Sequence, residues 1–78
     1  MYYCYILRCA DGTLYTGVTT DIARRIEEHN SGKGARYTAS RRPVRIVWQE
    51  EHADRSSTQR REAVIKSWSR SRKERLAQ

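Results

Sequence analysis

Phenylalanine is absent from this chain, and only 37% of its 78 residues are hydrophobic. A core must then come from Ile, Val, Leu, five Tyr and two Trp. A chain this short buries a modest part of its surface, so one small two-layer domain over residues 1–78 is as much as the composition supports. Cysteine occurs twice, at Cys4 and Cys9. Their opposite strand parity makes a bridge between them awkward, and no Cys/His zinc spacing exists. Both read as buried or edge thiols of a reducing compartment. No apolar run is long enough to span a membrane and no leader pattern precedes the first strand, which points to the cytoplasm. No G-x-x-x-x-G-K-[ST] occurs, so a Walker phosphate loop is excluded. Internal repeats and linkers are absent too.

Acids are also scarce. Nine Asp and Glu face sixteen Lys and Arg, for a net charge of +7. That excess suits a polyanion, because cations that neutralise phosphates release counterions. Arginine greatly outnumbers lysine, which favours planar, bidentate phosphate contact. The plain alternative is a solvated basic surface.

The segment "YYCYILRC" reads as a strand, "ADG" as a turn and "TLYTGV" as a second strand. A three-residue loop with Gly12 in the left-handed region pairs Cys9 with Thr13 and Leu7 with Tyr15. Tyr5 and Tyr15 then share a face. Thr20 or Asp21 caps a first helix whose buried stripe is Ile22 and Ile26, flanked by Arg25 and His29, with Arg24 on the far side. Gly32 ends it. "GKGARYTASRRP" is a basic loop that closes at the only proline, Pro43. "VRIVWQEE" is a third strand with Val44, Ile46 and Trp48 on one side. Ser56 and Gln59 form a capping box for a second helix with Val64, Ile65 and Trp68 inward and Glu62 at the border. Glu62 reads as an ion pair with Arg61. Ser69 caps a last, strongly basic helix. The order is β-β-α-β-α-α, an α+β domain with a three-stranded antiparallel sheet flanked by helices.

A tyrosine triplet at Tyr3-Cys4-Tyr5, Tyr15-Thr16-Gly17 ten residues on, Arg25 ten residues after Tyr15 and a distant helical Glu62 together resemble the GIY-YIG nuclease family. The segments "LYTGVT", "HNSGKGARYT" and "RREAVIKSWSRSRK" are similar to its short bacterial members that consist of this domain alone. The resemblance spans nearly the whole chain. It implies a metal-dependent endonuclease that hydrolyses DNA phosphodiesters, selective for structure rather than sequence. It implies Tyr5, Tyr15, Arg25 and His29 as catalytic, Gly17 as structural, and Glu62 as the ligand of one Mg²⁺ or Mn²⁺. A tyrosine would act as general base, with Arg25 favouring the phenolate and touching the phosphate. His29 would relay a proton or bind Tyr5 or a phosphate oxygen.

Lys33, Arg36, Arg41, Arg42 and Lys66, with Tyr37 as a stacking ring and Thr38 nearby, read as a nucleic-acid surface, DNA before RNA. Arg70, Arg72, Lys73 and Arg75 can extend it. Val18 stands where many members carry a lysine, and no asparagine follows Glu62. Those departures motivate one alternative, a nucleic-acid-binding module that does not cut; the basic face motivates another, an adaptor for an acidic protein partner. Taken singly, each tyrosine is an ordinary packing residue and each charge an ordinary surface group.

Overall fold

The computed structural model describes residues 1–77. Strand β1 (Tyr2–Arg8) is followed by β2 (Leu14–Thr19), α1 (Ile22–Asn30), the single turn α2 (Arg36–Ala39), β3 (Arg45–His52), α3 (Arg55–Lys66) and α4 (Arg70–Leu76). The three strands form one antiparallel sheet in the order β2-β1-β3. The expected α+β architecture is what forms, with α2 added inside the segment that reads as a loop.

The hairpin has the expected register. Leu7 faces Tyr15, Tyr5 faces Gly17, and the Cys9 amide donates to Thr13 O at 2.8 Å. Gly12 takes φ 86°, the left-handed conformation that this loop requires of its last residue. Because side chains alternate along a strand, β1 feeds two cores. Tyr5, Leu7, Cys9 and Val44 pack with Tyr15, Ile22, Ile26 and Ile46 on the α1 side. Cys4, Ile6 and Ile65 pack with Leu14, Val47, Trp48, Trp68 and Leu76 on the α3 and α4 side. Both cysteines are buried free thiols, and burial raises both.

Three local expectations are corrected. Ile46 and Trp48 do not share a face. Leu7 pairs with Ile46 while Ile6 pairs with Trp48, so the register shifts there and Val47 is the extra residue of a bulge. The bulge turns Trp48 to the α3 side. The cap of α3 is Asp54, which accepts from Ser57 N at 2.7 Å, and not Ser56. Val64 is 48% exposed, whereas Ile65 is fully buried; the inward stripe of α3 runs through Thr58 and Ile65. Asp21 caps α1 and Ser69 caps α4, as read.

One further device fixes the long α1–β3 connection. Asn30 donates to Val44 O at 3.1 Å and accepts from Val44 N at 2.7 Å. A side-chain amide thus pairs with a backbone amide at the start of β3, and it holds the segment that carries α2 against α1.

Candidate active site

Tyr5 and Tyr15 project from neighbouring strands onto the α1 side, where His29 meets them from the last turn of α1. His29 is fully buried, and Tyr5 is 2% exposed. Tyr5 Oη and His29 Nε2 are 3.1 Å apart, and His29 Nδ1 and Thr38 Oγ1 are 2.7 Å apart. The Tyr15 ring meets the imidazole edge-on at 5.3 Å between centroids. The reading of His29 as an ordinary solvated edge residue is therefore ruled out.

Two glycines make room for this cluster. A Cβ at Gly17 would lie 2.5 Å from Tyr5 Oη and 2.7 Å from its Cζ, so only glycine lets the phenol cross β2. A Cβ at Gly34 would collide with His29 Nδ1 and Cγ. Thr38 belongs to the cluster as well. The sequence placed it on an exposed phosphate-tracking loop; the one-turn helix α2 instead buries it completely against His29. Gly34, Thr38 and Asn30 were not singled out as site residues. The signal was the compact run "HNSGKGARYT", in which small residues sit one to nine positions after the histidine.

The electrostatics follow from burial. Desolvation disfavours the phenolate, so Tyr5 is pushed up to about 12. The guanidinium of Arg25, which interacts with the phenol oxygen, pulls the other way and loses to burial; Tyr15 and Glu62 add smaller upward pushes. Arg25 thus favours the phenolate as expected of it, but on Tyr5 burial outweighs that pull. Desolvation, aided by Arg25 and opposed by Glu28, lowers His29. A neutral imidazole has one donor and one acceptor, so the Thr38–His29–Tyr5 chain runs in one direction at a time. Either Tyr5 donates to Nε2 while Nδ1 donates to Thr38, or Thr38 donates to Nδ1 while Nε2 donates to Tyr5. In the second state the phenol proton is free for another acceptor. Arg25 itself also donates to Glu28 Oε1 at 3.1 Å.

Glu62 lies on α3, which packs on β1 and β2. Its charge reaches both Tyr5 and Cys4, raising each. Its ion-pair partner is Lys66 at 3.3 Å and not Arg61, which bonds Glu50 at 3.1 Å. Among the described residues no three His, Cys, Asp or Glu cluster as a metal-binding set. One half-buried carboxylate fits a single hard, largely hydrated cation whose other ligands are waters and substrate oxygens.

The proposed nucleic-acid surface divides in two. Lys33 and Arg36 are exposed, with no ion-pair partner among the described residues. Arg41 is tied to Asp11 at 3.0 Å and to Tyr37 O at 2.8 Å, with its guanidinium 4.0 Å from the Tyr37 ring centroid. Arg42 bonds Ala39 O and Asn30 O. Tyr37 stacks on Tyr15, with centroids 5.9 Å apart and planes at 27°. Lys66 is held by Glu62. No helix is long and apolar enough to cross a membrane among the described residues.

Comparison with known proteins shows the family and the fold. Residues 1–75 match the family model of the GIY-YIG catalytic domain. A UPF0213 protein of Desulfotalea psychrophila is 60% identical over 96% of this chain and 69% of its own length. Another, from Natronomonas pharaonis, is 52% identical over 96% and 88%. The solution NMR structure of a UPF0213 protein from Bacillus halodurans superposes with a TM-score of 0.62 at 48% identity, covering 97% of this chain and 82% of that one. A second NMR structure, from E. faecalis, gives 0.65 at 46% identity, covering 95% and 79%. With the family model matched along nearly its whole length and relatives this similar, the chain belongs to the GIY-YIG catalytic domain family.

Proposed function

We propose that this chain hydrolyses DNA phosphodiester bonds, choosing its substrate by structure. The observation that carries the reading is the convergence of Tyr5, Tyr15, Arg25 and His29 in a chain that matches the GIY-YIG catalytic domain. The attacking water needs a base that solvent can reach. Tyr15 is partly exposed while Tyr5 is not, so Tyr15 takes the water's proton. Tyr5 has another task. Its buried hydroxyl, bonded to His29, fixes the imidazole against which Tyr15 packs and so positions Tyr15. Arg25 supplies positive charge where charge builds on the phosphate. Glu62, released from Lys66, would hold one Mg²⁺ or Mn²⁺, which supplies further charge neutralisation at the reacting phosphate. Lys33 and Arg36 contact the strand's backbone.

The test is nicking of branched, nicked and single-stranded DNA with and without Mg²⁺ or Mn²⁺. Cutting that depends on metal and disappears in Tyr15→Phe and Glu62→Ala supports the reading. If the purified protein cuts none of these substrates, the hydrolase reading is wrong.

A second reading is a module that holds nucleic acid without cutting. The Lys66–Glu62 ion pair and the raised Tyr5 phenol favour it. It predicts salt-dependent binding that Glu62→Ala leaves unchanged.

A further inference from the structure

Away from the tyrosines and His29, the hairpin tip and α4 enclose a cavity of about 200 Å³ lined by Thr13, Leu14, Tyr37, Arg70 and Lys73. Its position is set by two facts. Leu14 immediately precedes Tyr15, and Tyr37 forms part of the wall while stacking on Tyr15. The cavity and the active site therefore share the Tyr37 side chain.

Its charge is positive for a structural reason. The two acids nearest to it are already taken. Glu74 accepts from Arg8 Nη1 at 2.8 Å and Nη2 at 2.6 Å, and this paired contact holds its carboxyl below the ordinary range. Asp11 accepts from Thr13 N and Oγ1 and from Arg41 Nε, which lower it likewise. Lys73 has no ion-pair partner among the described residues. Arg70 keeps only a long 3.7 Å contact with Glu74, while its Nη2 donates to Gly12 O at 3.1 Å. That bond anchors the guanidinium at the cavity mouth and leaves its other N–H groups free. Helix α4 carries Arg70, Arg72, Lys73 and Arg75 against the single acid Glu74.

We infer that this cavity is a phosphate subsite, in which Arg70 and Lys73 hold a backbone phosphate of the same strand that passes Tyr15, with the edge of the Tyr37 ring as one wall. The inference rests on the reading that the chain holds a nucleic-acid strand, and it names which phosphate contact sets the strand's register. Two cations around a cleft of this size suit a tetrahedral dianion or a diester. The Tyr37 ring, covered by Tyr15 and by the Arg41 guanidinium, serves as a rigid wall, and the planar guanidinium of Arg70 suits the oxygens of a backbone phosphate.

The experiment measures anisotropy of a labelled single-stranded deoxyoligonucleotide in EDTA, where nothing is cut. It compares the wild type, the double variant Arg70→Ala/Lys73→Ala, and a charge-matched control, Arg24→Ala/Arg60→Ala, that removes two exposed cations outside the cavity. The expected result is tenfold or weaker binding in the cavity variant. Its salt slope should fall by about 1.4, from roughly 0.7 per lost single-strand contact. The control should stay within twofold. Thermal melting of each variant shows that the fold is kept, and Lys73→Gln alone, on the surface of α4, should give part of the loss. Equal weakening by the control overturns the subsite in favour of diffuse charge. Tighter binding of polyglutamate than of the oligonucleotide overturns it in favour of an acidic protein partner. Cutting in Mg²⁺ by a wild type whose binding ignores Arg70 and Lys73 overturns the subsite and leaves the hydrolase reading standing. Loss of binding in the variant of a protein that never cuts refutes hydrolysis and upholds the subsite.

Discussion

The two faces of the sheet are built from alternate residues of the same strands, yet they spend burial differently. The α3 and α4 face is mainly apolar: Cys4, Ile6 and Ile65 are sealed by Leu14, Val47, Trp48, Trp68 and Leu76, and of its two buried hydroxyls Thr58 bonds Asp54 O while Thr16 has no partner among the described residues. The α1 face buries a phenol, an imidazole and a hydroxyl in one hydrogen-bonded chain, and it needs glycines at 17 and 34 to do so. Burying polar groups costs free energy unless every one is paired. A packing face and a chemical face thus respond to substitution in opposite ways.

The sharpest way to break the comparison is Gly17→Ala. One methyl on the chemical face meets the buried Tyr5 ring, which has no free space to move into. Nicking should fall by about 10³, equal to roughly 4 kcal/mol of barrier, with little loss of secondary structure. A variant that nicks normally would show that the exact phenol position is immaterial.

Next comes Ile65→Ala on the packing face. Emptying this fully buried site should cost about 3 kcal/mol of stability in chemical denaturation. Turnover per folded molecule should stay close to wild type at low temperature. A turnover loss as large as that of Gly17→Ala would erase the division between the faces.

A matched pair follows. Thr38→Val removes a hydroxyl bonded to His29 and to Ala35 O and leaves His29 Nδ1 only the Ala35 amide at 3.5 Å, so about 1–2 kcal/mol should be lost. Thr16, across the strand from Ile6, carries the buried side-chain oxygen that has no partner among the described residues. Thr16→Val should be neutral or stabilising by up to about 1 kcal/mol. Urea melts of both should give opposite signs; the same sign would mean that the hydrogen-bonded chain is not what distinguishes the faces.

The smallest effect is with pH. His29 has a folded pKa below its ordinary 6.5, because burial opposes its charge. The unfolded chain then binds the proton more readily. Stability is present in full above about pH 6.5 and declines as pH falls from there toward the depressed folded value. The melting temperature should drop between pH 7 and 5, and His29→Gln should flatten that drop.

Much of this was legible because it is local. The hairpin register followed from Gly12, since only one loop length puts a glycine at the left-handed position. The face shared by Tyr5 and Tyr15 came with it. Arg25 and His29 were placed by helical spacing from Ile22 and Ile26. One misreading, Ser56 for Asp54 as the cap of α3, is a local choice between neighbouring cap residues; others involve a partner distant in sequence or a break in period. The bulge at Val47 shifts the alternation that put Trp48 beside Ile46, and nothing in "VRIVWQEE" marks it. Glu62 chose Lys66, one turn along, because Glu50 from β3 had taken Arg61.

By itself, then, the chain's order of residues determined the elements, the hairpin and the set of groups able to do chemistry, since turn type and side-chain period depend on neighbours a few positions apart. Tertiary structure alone decided their protonation and their partners. Burial between α1, α2 and β1 outweighed the pull of Arg25 on Tyr5, turned Thr38 from a surface hydroxyl into the support of His29, and left Lys73 without an ion-pair partner among the described residues and Arg70 with one long contact to Glu74. The physical reason is that desolvation and ion pairing depend on what surrounds a group in space, and that environment exists only once distant segments have packed.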